Sequence, residues 1–221
     1  MRIQFLVEDQ SGTQALKALV PRLVRSTDQC YFKPFYGIGA IPRGLKPGSG
    51  AVKTLLLDEL PRILRGLALS GVDMSVVVVC DLDERKERLF RRELNDLWQR
   101  EARRLDVHFC LAVEETEAWY LGDIAAIKAA YPNAKDAVLA AYRQDSICGT
   151  WELLADAIVK GGHTELNRRG WPAPGEAKFE WASRIAPLMN IDASKSPSFV
   201  AFCQTVRTLA GTSVGDLGLN S

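Results

Sequence analysis

The sequence lacks a long apolar segment. Its longest apolar run, residues 75–80, is far shorter than the about 20 residues that a helix needs to cross a bilayer. Residues 1–8 alternate and then turn acidic, whereas a signal peptide needs a longer apolar stretch and a small-residue cleavage site. We therefore predict a cytoplasmic protein without a membrane segment.

The residues that form disulfides and zinc sites are also scarce. The five cysteines are odd in number, widely spaced and without a C-x-x-C pair, and Cys80 and Cys110 lie in apolar strand patterns, where cysteine behaves as a small hydrophobe. His108 and His163 have no partner pattern for a metal site or a nucleophilic triad. The sequence therefore predicts neither a disulfide framework nor a zinc site.

An excess of charge of one sign is absent as well. With 28 basic and 27 acidic residues the net charge is +1, so any contact with nucleic acid has to use a local patch. Apolar residues make up 47% and charged residues 25% of the chain, which is typical of a packed globular protein. The 221 residues suffice for one large domain or for a core domain with an extension.

Four apolar patterns predict strands, at residues 3–7, 31–36, 75–80 and 107–113. Helical patterns separate them, including residues 52–69, where Pro61 should start a new turn or a kink, and residues 84–104. The alternation predicts an α/β fold with a largely parallel sheet flanked by helices. Beyond it the pattern is helical, with a last helix near residues 199–209. We predict a core of residues 1–125 and a helical C-terminal extension of residues 126–221 packed on it.

The loop of residues 37–50 contains five glycines and two prolines. Its length suggests a functional loop. However, it lacks the full G-x-G-x-x-G and Walker spacings, so it gives only weak support for a phosphate-binding role.

Carboxylates follow three of the predicted strands: Glu8, then Asp81 and Asp83, then Glu115 and Glu117. Ligands of parallel sheets bind beyond the carboxyl ends of the strands. If the extended geometry persists, two carboxylates at positions i and i+2 point to the same side and can share one hard cation. The pattern therefore predicts a site for Mg²⁺ or Mn²⁺ rather than zinc.

Each of these carboxylates also has a structural interpretation. Glu8 and Asp9 can be turn residues, Asp83 can cap the following helix, and residues 114–117 can favour the positive N-terminus of the next helix. The sequence leaves open whether the three acidic strand ends converge.

The ordered acidic motifs resemble an uncharacterised bacterial family called "domain of unknown function 4276", which belongs with the Toprim-like proteins. The resemblance covers most of the chain, and its most specific piece is the E-x-E-A-W block at residues 115–119. Other matching segments are Leu6-Val7-Glu8, Asp81-Leu82-Asp83, Ser183-Arg184-Ile185-Ala186-Pro187 and Ser196-Pro197-Ser198-Phe199.

The resemblance implies a Toprim-like fold and roles for the acidic residues. In Toprim domains the first glutamate serves in acid-base chemistry and the D-x-D carboxylates hold magnesium, which makes Glu8 the acid-base group and Asp81 and Asp83 metal ligands. Glu115 and Glu117 would support a second ion or the outer shell of the first. The chain departs from the Toprim pattern where Asp9 stands in place of the glycine that commonly follows the glutamate.

Basic and aromatic residues mix in the C-terminal part, where Lys178 and Arg184 are candidates for substrate phosphate contacts. They lie among Trp171, Phe179 and Trp181, which can either stack on single-stranded nucleic acid or dock the C-terminal helices on the core. A cluster of arginines in residues 85–104 is better explained as a solvated face, because it forms i,i+4 pairs with acidic residues.

These observations predict a magnesium-dependent nuclease that acts on DNA or RNA. The resemblance to Toprim nucleases implies a partner ATPase and a role in phage defence or genome maintenance. One alternative is a non-catalytic interaction module with the same fold, and another is a receiver-like phosphoacceptor domain centred on Asp81. The oligomeric state is left open, a homo-oligomer being one possibility.

Overall fold

The computed structural model describes residues 1–41, 55–146 and 149–212. Within them lies a four-stranded, all-parallel sheet with the strand order β2-β1-β3-β4. The strands are β1 (Arg2–Val7), β2 (Gln29–Pro34), β3 (Ser75–Asp81) and β4 (Asp106–Ala112). The predicted α/β class and the parallel sheet are confirmed.

Helices connect and follow the strands. In the described residues they are α1 (Gln10–Leu19), α2 (Leu56–Ser70), α3 (Glu87–Ala102), α4 (Glu117–Leu121), α5 (Ile124–Ala130), α6 (Asp136–Ala140), α7 (Thr150–Ile158), α8 (Gly162–Arg169), α9 (Ala173–Ile185) and α10 (Pro197–Ala210). None of these helices is both long and apolar enough to cross a bilayer.

The central strand β3 is buried on both faces because its side chains alternate between two hydrophobic clusters. Val77 and Val79 join the cluster formed with α1 and the C-terminal helices. Val76, Val78 and Cys80 join the cluster formed with α2 and α3. Burial on both faces explains why the strand is continuously apolar. A strand with one exposed face would alternate apolar and polar residues.

The first cluster contains residues from both sides of residue 125. Trp119 in the middle of α4 stacks on Phe202 of α10, with ring centroids 5.0 Å apart, and its ring centroid lies 5.4 Å from that of Phe199. Ser196 caps α10 by accepting a hydrogen bond from the backbone N–H of Phe199. The division into a core and an extension stays a prediction, since a shared cluster neither requires nor excludes it.

Two predicted boundaries shift. The strand β2 runs over Gln29–Pro34 rather than residues 31–36. The helix α3 begins at Glu87 rather than Glu84, because Asp83 adopts a left-handed φ of 48° and the N–H of Arg85 closes a turn on the carbonyl of Leu82. The helix α2 continues through Pro61. The N-terminal part of that predicted helix and most of the glycine-rich loop lie outside the described residues.

Candidate functional site

The carboxyl ends of β1 and β3 place two carboxylates side by side. The two strands are parallel neighbours with Val7 paired to Val79, and the N–H of Glu8 continues the pairing by donating to the carbonyl of Val79 at 3.0 Å. Two residues further along β3, the N–H of Asp81 donates to Glu8 Oε2 at 2.9 Å. The sheet therefore fixes the Glu8 carboxylate next to Asp81.

The end of β4 lies directly beside this pair. The N–H of Leu82 donates to the carbonyl of Ala112 at 2.9 Å, and the N–H of Asp83 to the carbonyl of Glu114 at 2.8 Å. The segments that follow β3 and β4 then leave the sheet through left-handed conformations, with φ values of 48° at Asp83 and 60° at Glu114. This turn brings the E-x-E segment to the same edge of the sheet as the D-x-D segment.

The aspartates of the D-x-D segment are held differently. Thr116 Oγ1 donates a hydrogen bond of 3.0 Å to Asp81 Oδ1. Asp83 forms an ion pair with Arg85. The extended geometry ends at Asp83, yet both carboxylates line the same cavity.

This cavity has a volume of about 590 Å³ and opens at the carboxyl ends of the strands. Its lining includes the acidic residues Glu8, Asp81, Asp83 and Glu115 and the basic residue Lys178. Four aromatic residues also line it: Phe35, Tyr36, Trp171 and Phe179. The cavity is thus lined by both acidic and aromatic residues.

Lys178 reaches the acidic groups from α9. Its ammonium group lies 3.1 Å from Glu115 Oε1 and 3.5 Å from Glu117 Oε2. The side chain of Glu117 is only 3% exposed and that of Lys178 19% exposed, so solvent screens this pairing weakly. A residue of the C-terminal helices therefore supplies positive charge to the acidic strand ends.

Burial and like charge both act on the carboxylates of β1 and β3. Burial, together with the nearby charges of Asp83 and Asp9, raises the pKa of Glu8 to about 7. Burial and the neighbouring Glu8 carboxylate raise the pKa of Asp81 well above its ordinary value. At neutral pH, Glu8 can therefore exist in both protonation states, as acid-base groups require.

Burial also raises the pKa values of the two glutamates of the E-x-E segment, and the positive charge of Lys178 opposes that shift. Burial raises the pKa of Glu115 to about 7, although Lys178 opposes the shift. The pKa of Glu117 is also raised by burial. Burial would lower the pKa of Lys178, but Glu117, Glu115 and Asp81 outweigh it and raise that pKa. Lys178 consequently remains charged at neutral pH.

The structure brings most of the predicted site residues together. Glu8, Asp81, Asp83, Glu115 and Lys178 line the cavity, and Glu117 lies behind them in contact with Lys178.

Arg184 lies elsewhere, with its guanidinium 4.2 Å from the ring centroid of Tyr131 and a hydrogen bond of 2.7 Å to the carbonyl of Ala130. The metal, acid-base and phosphate-contact roles of these residues stay predictions.

Some residues of this site were not singled out from the sequence, among them Thr116 and Tyr36. Thr116 binds Asp81, and its position between the two glutamates of the E-x-E segment is the signal that could have drawn attention to it. Tyr36 lines the cavity because it follows β2 at the same edge of the sheet. No acidic residue follows β2 directly, so the carboxylate pattern did not include this strand end.

The donor set fits a hard divalent cation, because Mg²⁺ and Mn²⁺ prefer carboxylate oxygens and the charges of Glu8, Asp81 and Asp83 repel one another without a counter-ion. Within the described ranges, no three carboxylate, imidazole or thiol side chains are already grouped as ligands of one ion. Ion binding therefore requires side chains to move. Release of Asp83 from its ion pair with Arg85 is one such movement.

The fold and site define an α/β protein with an acidic, aromatic-walled cavity at the carboxyl ends of a parallel sheet. The chain belongs to the family described as "Domain of unknown function (DUF4276)", whose model matches residues 7–207. No curated protein and no solved structure matched the chain.

Proposed function

We propose that this protein is a phosphodiesterase that uses Mg²⁺ or Mn²⁺ to cleave nucleic acid, with a Toprim-like arrangement of its site. The observation that carries this proposal is the meeting of Glu8, Asp81 and Asp83 in one cavity at the ends of neighbouring parallel strands. Carboxylates in that position are the groups that bind divalent ions in phosphoryl-transfer sites.

The roles in this proposal follow from the surroundings of each residue. Asp81 and Asp83 would hold the ion, and Thr116 orients Asp81 through its hydroxyl. The bound ion would supply Lewis-acid stabilisation of the phosphoryl oxygens. Glu8, with a pKa of about 7, is suited to accept a proton from the attacking water or to return one to the leaving oxygen. Glu115 would assist the ion's outer shell, and Lys178 would offset the added negative charge of a phosphate.

The test is ion binding and cleavage measured together. Calorimetric titration with Mn²⁺ and cleavage of plasmid, single-stranded DNA and RNA compare the wild type with the double variant Asp81→Asn/Asp83→Asn. Asp96→Asn is the matched control, because Asp96 is 64% exposed and pairs with Arg92 on the surface of α3. We expect ion binding and cleavage in the wild type and the control, and neither in the double variant. Failure of the wild type to bind either ion would overturn the proposal.

A second candidate is a non-catalytic module that uses the acidic cavity to bind a partner. The observation in its favour is that protein groups already satisfy the carboxylates: Arg85 pairs with Asp83, Thr116 with Asp81, and Lys178 with Glu115. Partner binding that is independent of divalent ions, without cleavage of any of the three substrates, would support this candidate over the phosphodiesterase.

We further propose, from the resemblance to Toprim nucleases, that a partner ATPase delivers the substrate and that the pair acts in phage defence or genome maintenance. The near-neutral net charge of +1 supports a need for delivery, since long-range attraction of nucleic acid is absent. Efficient cleavage of plasmid DNA by the isolated chain at physiological salt would contradict the need for a partner.

A further inference from the structure

Three exposed aromatic side chains surround the acidic cavity. Trp171 is 80% exposed, Tyr36 57% and Phe179 44%, and all three line the cavity that contains Glu8 and Asp81. Single exposed aromatic residues are common on protein surfaces, whereas several around one concavity mark a binding site. The ligand of such a site has to offer flat, apolar faces beside groups that tolerate carboxylates or ions.

Backbone contacts fix Tyr36 next to the carboxylates. The N–H of Phe35 donates to the carbonyl of Val7 at 2.9 Å, and the N–H of Gly37 donates to the carbonyl of Glu8 at 2.9 Å. The residue between these two bonds is Tyr36, so its position is tied to the residue that carries the Glu8 carboxylate. Gly37 adopts a φ of 117°, which a residue with a side chain rarely accepts.

The other two exposed aromatic residues of the cavity belong to α9 and the turn before it. The N–H of Ala173 closes that turn on the carbonyl of Gly170 at 2.9 Å. The ring of Trp171 extends over Gly175, where an added Cβ would lie 4.0 Å from the indole. Phe179 lies one residue beyond Lys178 on the same helix, and the buried Trp181, 2% exposed, anchors the helix to the core.

We propose that this cavity binds the unpaired bases of a single-stranded nucleic acid, which stack on Tyr36, Trp171 and Phe179 beside the acidic groups. The choice of nucleic acid rests on the proposed phosphodiesterase function. Bases of a duplex present their faces only to one another, whereas those of a single strand are free to stack on aromatic side chains. A volume of about 590 Å³ has room for a small number of nucleotides rather than for a double helix.

The charges near the cavity support base contacts over backbone contacts. Glu8, Asp81, Asp83 and Glu115 line it, and the nearby Lys178 is already paired to Glu115. Because Arg85 and Lys178 are already paired with carboxylates, they offer little attraction to a phosphate backbone, so attraction has to come from the bases. Stacking tolerates different base sequences, because every base has a π-face.

The test is binding of a fluorescein-labelled 12-nucleotide single strand with uncharged methylphosphonate linkages, measured by anisotropy in EDTA. The uncharged backbone removes the electrostatic contribution of the phosphates, and EDTA removes any contribution of ions. We expect Trp171→Ala and Tyr36→Ala to weaken binding about 10-fold or more and Trp171→Phe to retain most of the affinity. Tyr31→Ala is the matched control, since Tyr31 is 47% exposed on β2 but does not line the cavity.

Annealing the probe to a complementary strand should abolish binding. Equal affinity for the single strand and the duplex, or unchanged affinity in both alanine variants, would overturn the proposal, as would failure of the wild type to bind the probe.

Hydrolysis of bis(p-nitrophenyl) phosphate with Mn²⁺, measured on the same proteins, tests the phosphodiesterase proposal independently of base stacking. Probe binding without hydrolysis would support the base-binding site and contradict the phosphodiesterase function. Hydrolysis without probe binding would support the phosphodiesterase function and contradict the base-binding site.

Discussion

Lys178 and Glu117 lie 3.5 Å apart, with side chains only 19% and 3% exposed, although they are 61 positions apart in the chain. The same ammonium group lies 3.1 Å from Glu115. The helical C-terminal part of the chain thus completes the electrostatics of the acidic site that the strands begin.

Replacing Lys178 by methionine should destabilise the fold by about 3 kcal/mol, because it leaves Glu117 buried without a counter-charge. Urea denaturation at pH 7.5 measures the change in the free energy of unfolding. Lys128→Met is the control: Lys128 pairs with Asp136 at the surface, and its loss should cost less than about 1 kcal/mol. Equal effects of the two substitutions would show that the Lys178 pairing is screened like a surface ion pair.

The stability of the metal-free protein should fall as the pH rises from about 4.5 to about 7. The pKa values of Glu8 and Glu115 are raised from 4.5 to about 7 by burial. A group with a raised pKa in the folded state stabilises the fold fully below its unfolded pKa and loses that contribution as the pH passes the folded value. We expect a loss of roughly 1–3 kcal/mol over this range, measured by urea denaturation in EDTA at several pH values.

The Glu8→Gln variant should flatten this pH dependence, because its amide does not titrate. Glu101→Gln provides the comparison: burial acts on Glu101 too, but hydrogen bonds from Arg100 and Arg65 lower its pKa. The contribution of Glu101 to the free energy of unfolding is lost only below the ordinary pKa of glutamate. The change of that free energy between pH 5 and pH 7 should therefore persist in Glu101→Gln. An unchanged slope in Glu8→Gln would contradict the assignment.

Thr116→Val should weaken Mn²⁺ binding by about 10- to 100-fold, because the hydroxyl that orients Asp81 is lost. Thr116→Ser, which keeps the hydroxyl, should bind Mn²⁺ with nearly wild-type affinity. Calorimetric titration measures both variants. This prediction depends on the proposed ion site, and similar affinities of the valine and serine variants would exclude a positioning role for Thr116.

Gly122→Ala should destabilise the protein by roughly 1–3 kcal/mol through a steric clash. An added Cβ would lie 2.6 Å from Ser194 Oγ and 2.9 Å from the backbone nitrogen of Ser196, which cannot move away without disturbing α10.

Gly66→Ala serves as the opposite case: Gly66 lies within α2, and an added Cβ meets nothing within 4 Å there. It should stabilise the fold by about 0.5–1 kcal/mol, because alanine favours the helix. Thermal denaturation distinguishes the two signs, and a stabilised Gly122→Ala variant would refute the predicted clash.

The strands could be predicted from the sequence because their signals are local. The apolar runs at β1, β3 and β4 are strong, and the predicted bounds agree with the structure within about two residues. The boundary of α3 could not be predicted, since it depends on the left-handed turn at Asp83 and on the pairing of Asp83 with the chain at Glu114.

The sequence also identified most of the candidate site. Glu8, Asp81 and Asp83 were placed at strand ends by their position after apolar runs, and parallel strands bring such ends to one edge. Lys178 was recognised as a site residue but in the role of a phosphate contact, whereas the structure places it against Glu115 and Glu117. Whether it also contacts phosphate stays a prediction.

By itself, then, the sequence determined which segments form strands and which carboxylates stand at their ends, because periodicity and strand termini are properties of neighbouring residues. Only the tertiary structure decided that Lys178 pairs with the glutamates of the E-x-E segment and that Tyr36 and Trp171 line the same cavity. Those relationships join residues far apart in the chain. They depend on how α9 packs on the rest of the fold, and the packing minimises exposed apolar surface over the whole molecule rather than within any one segment.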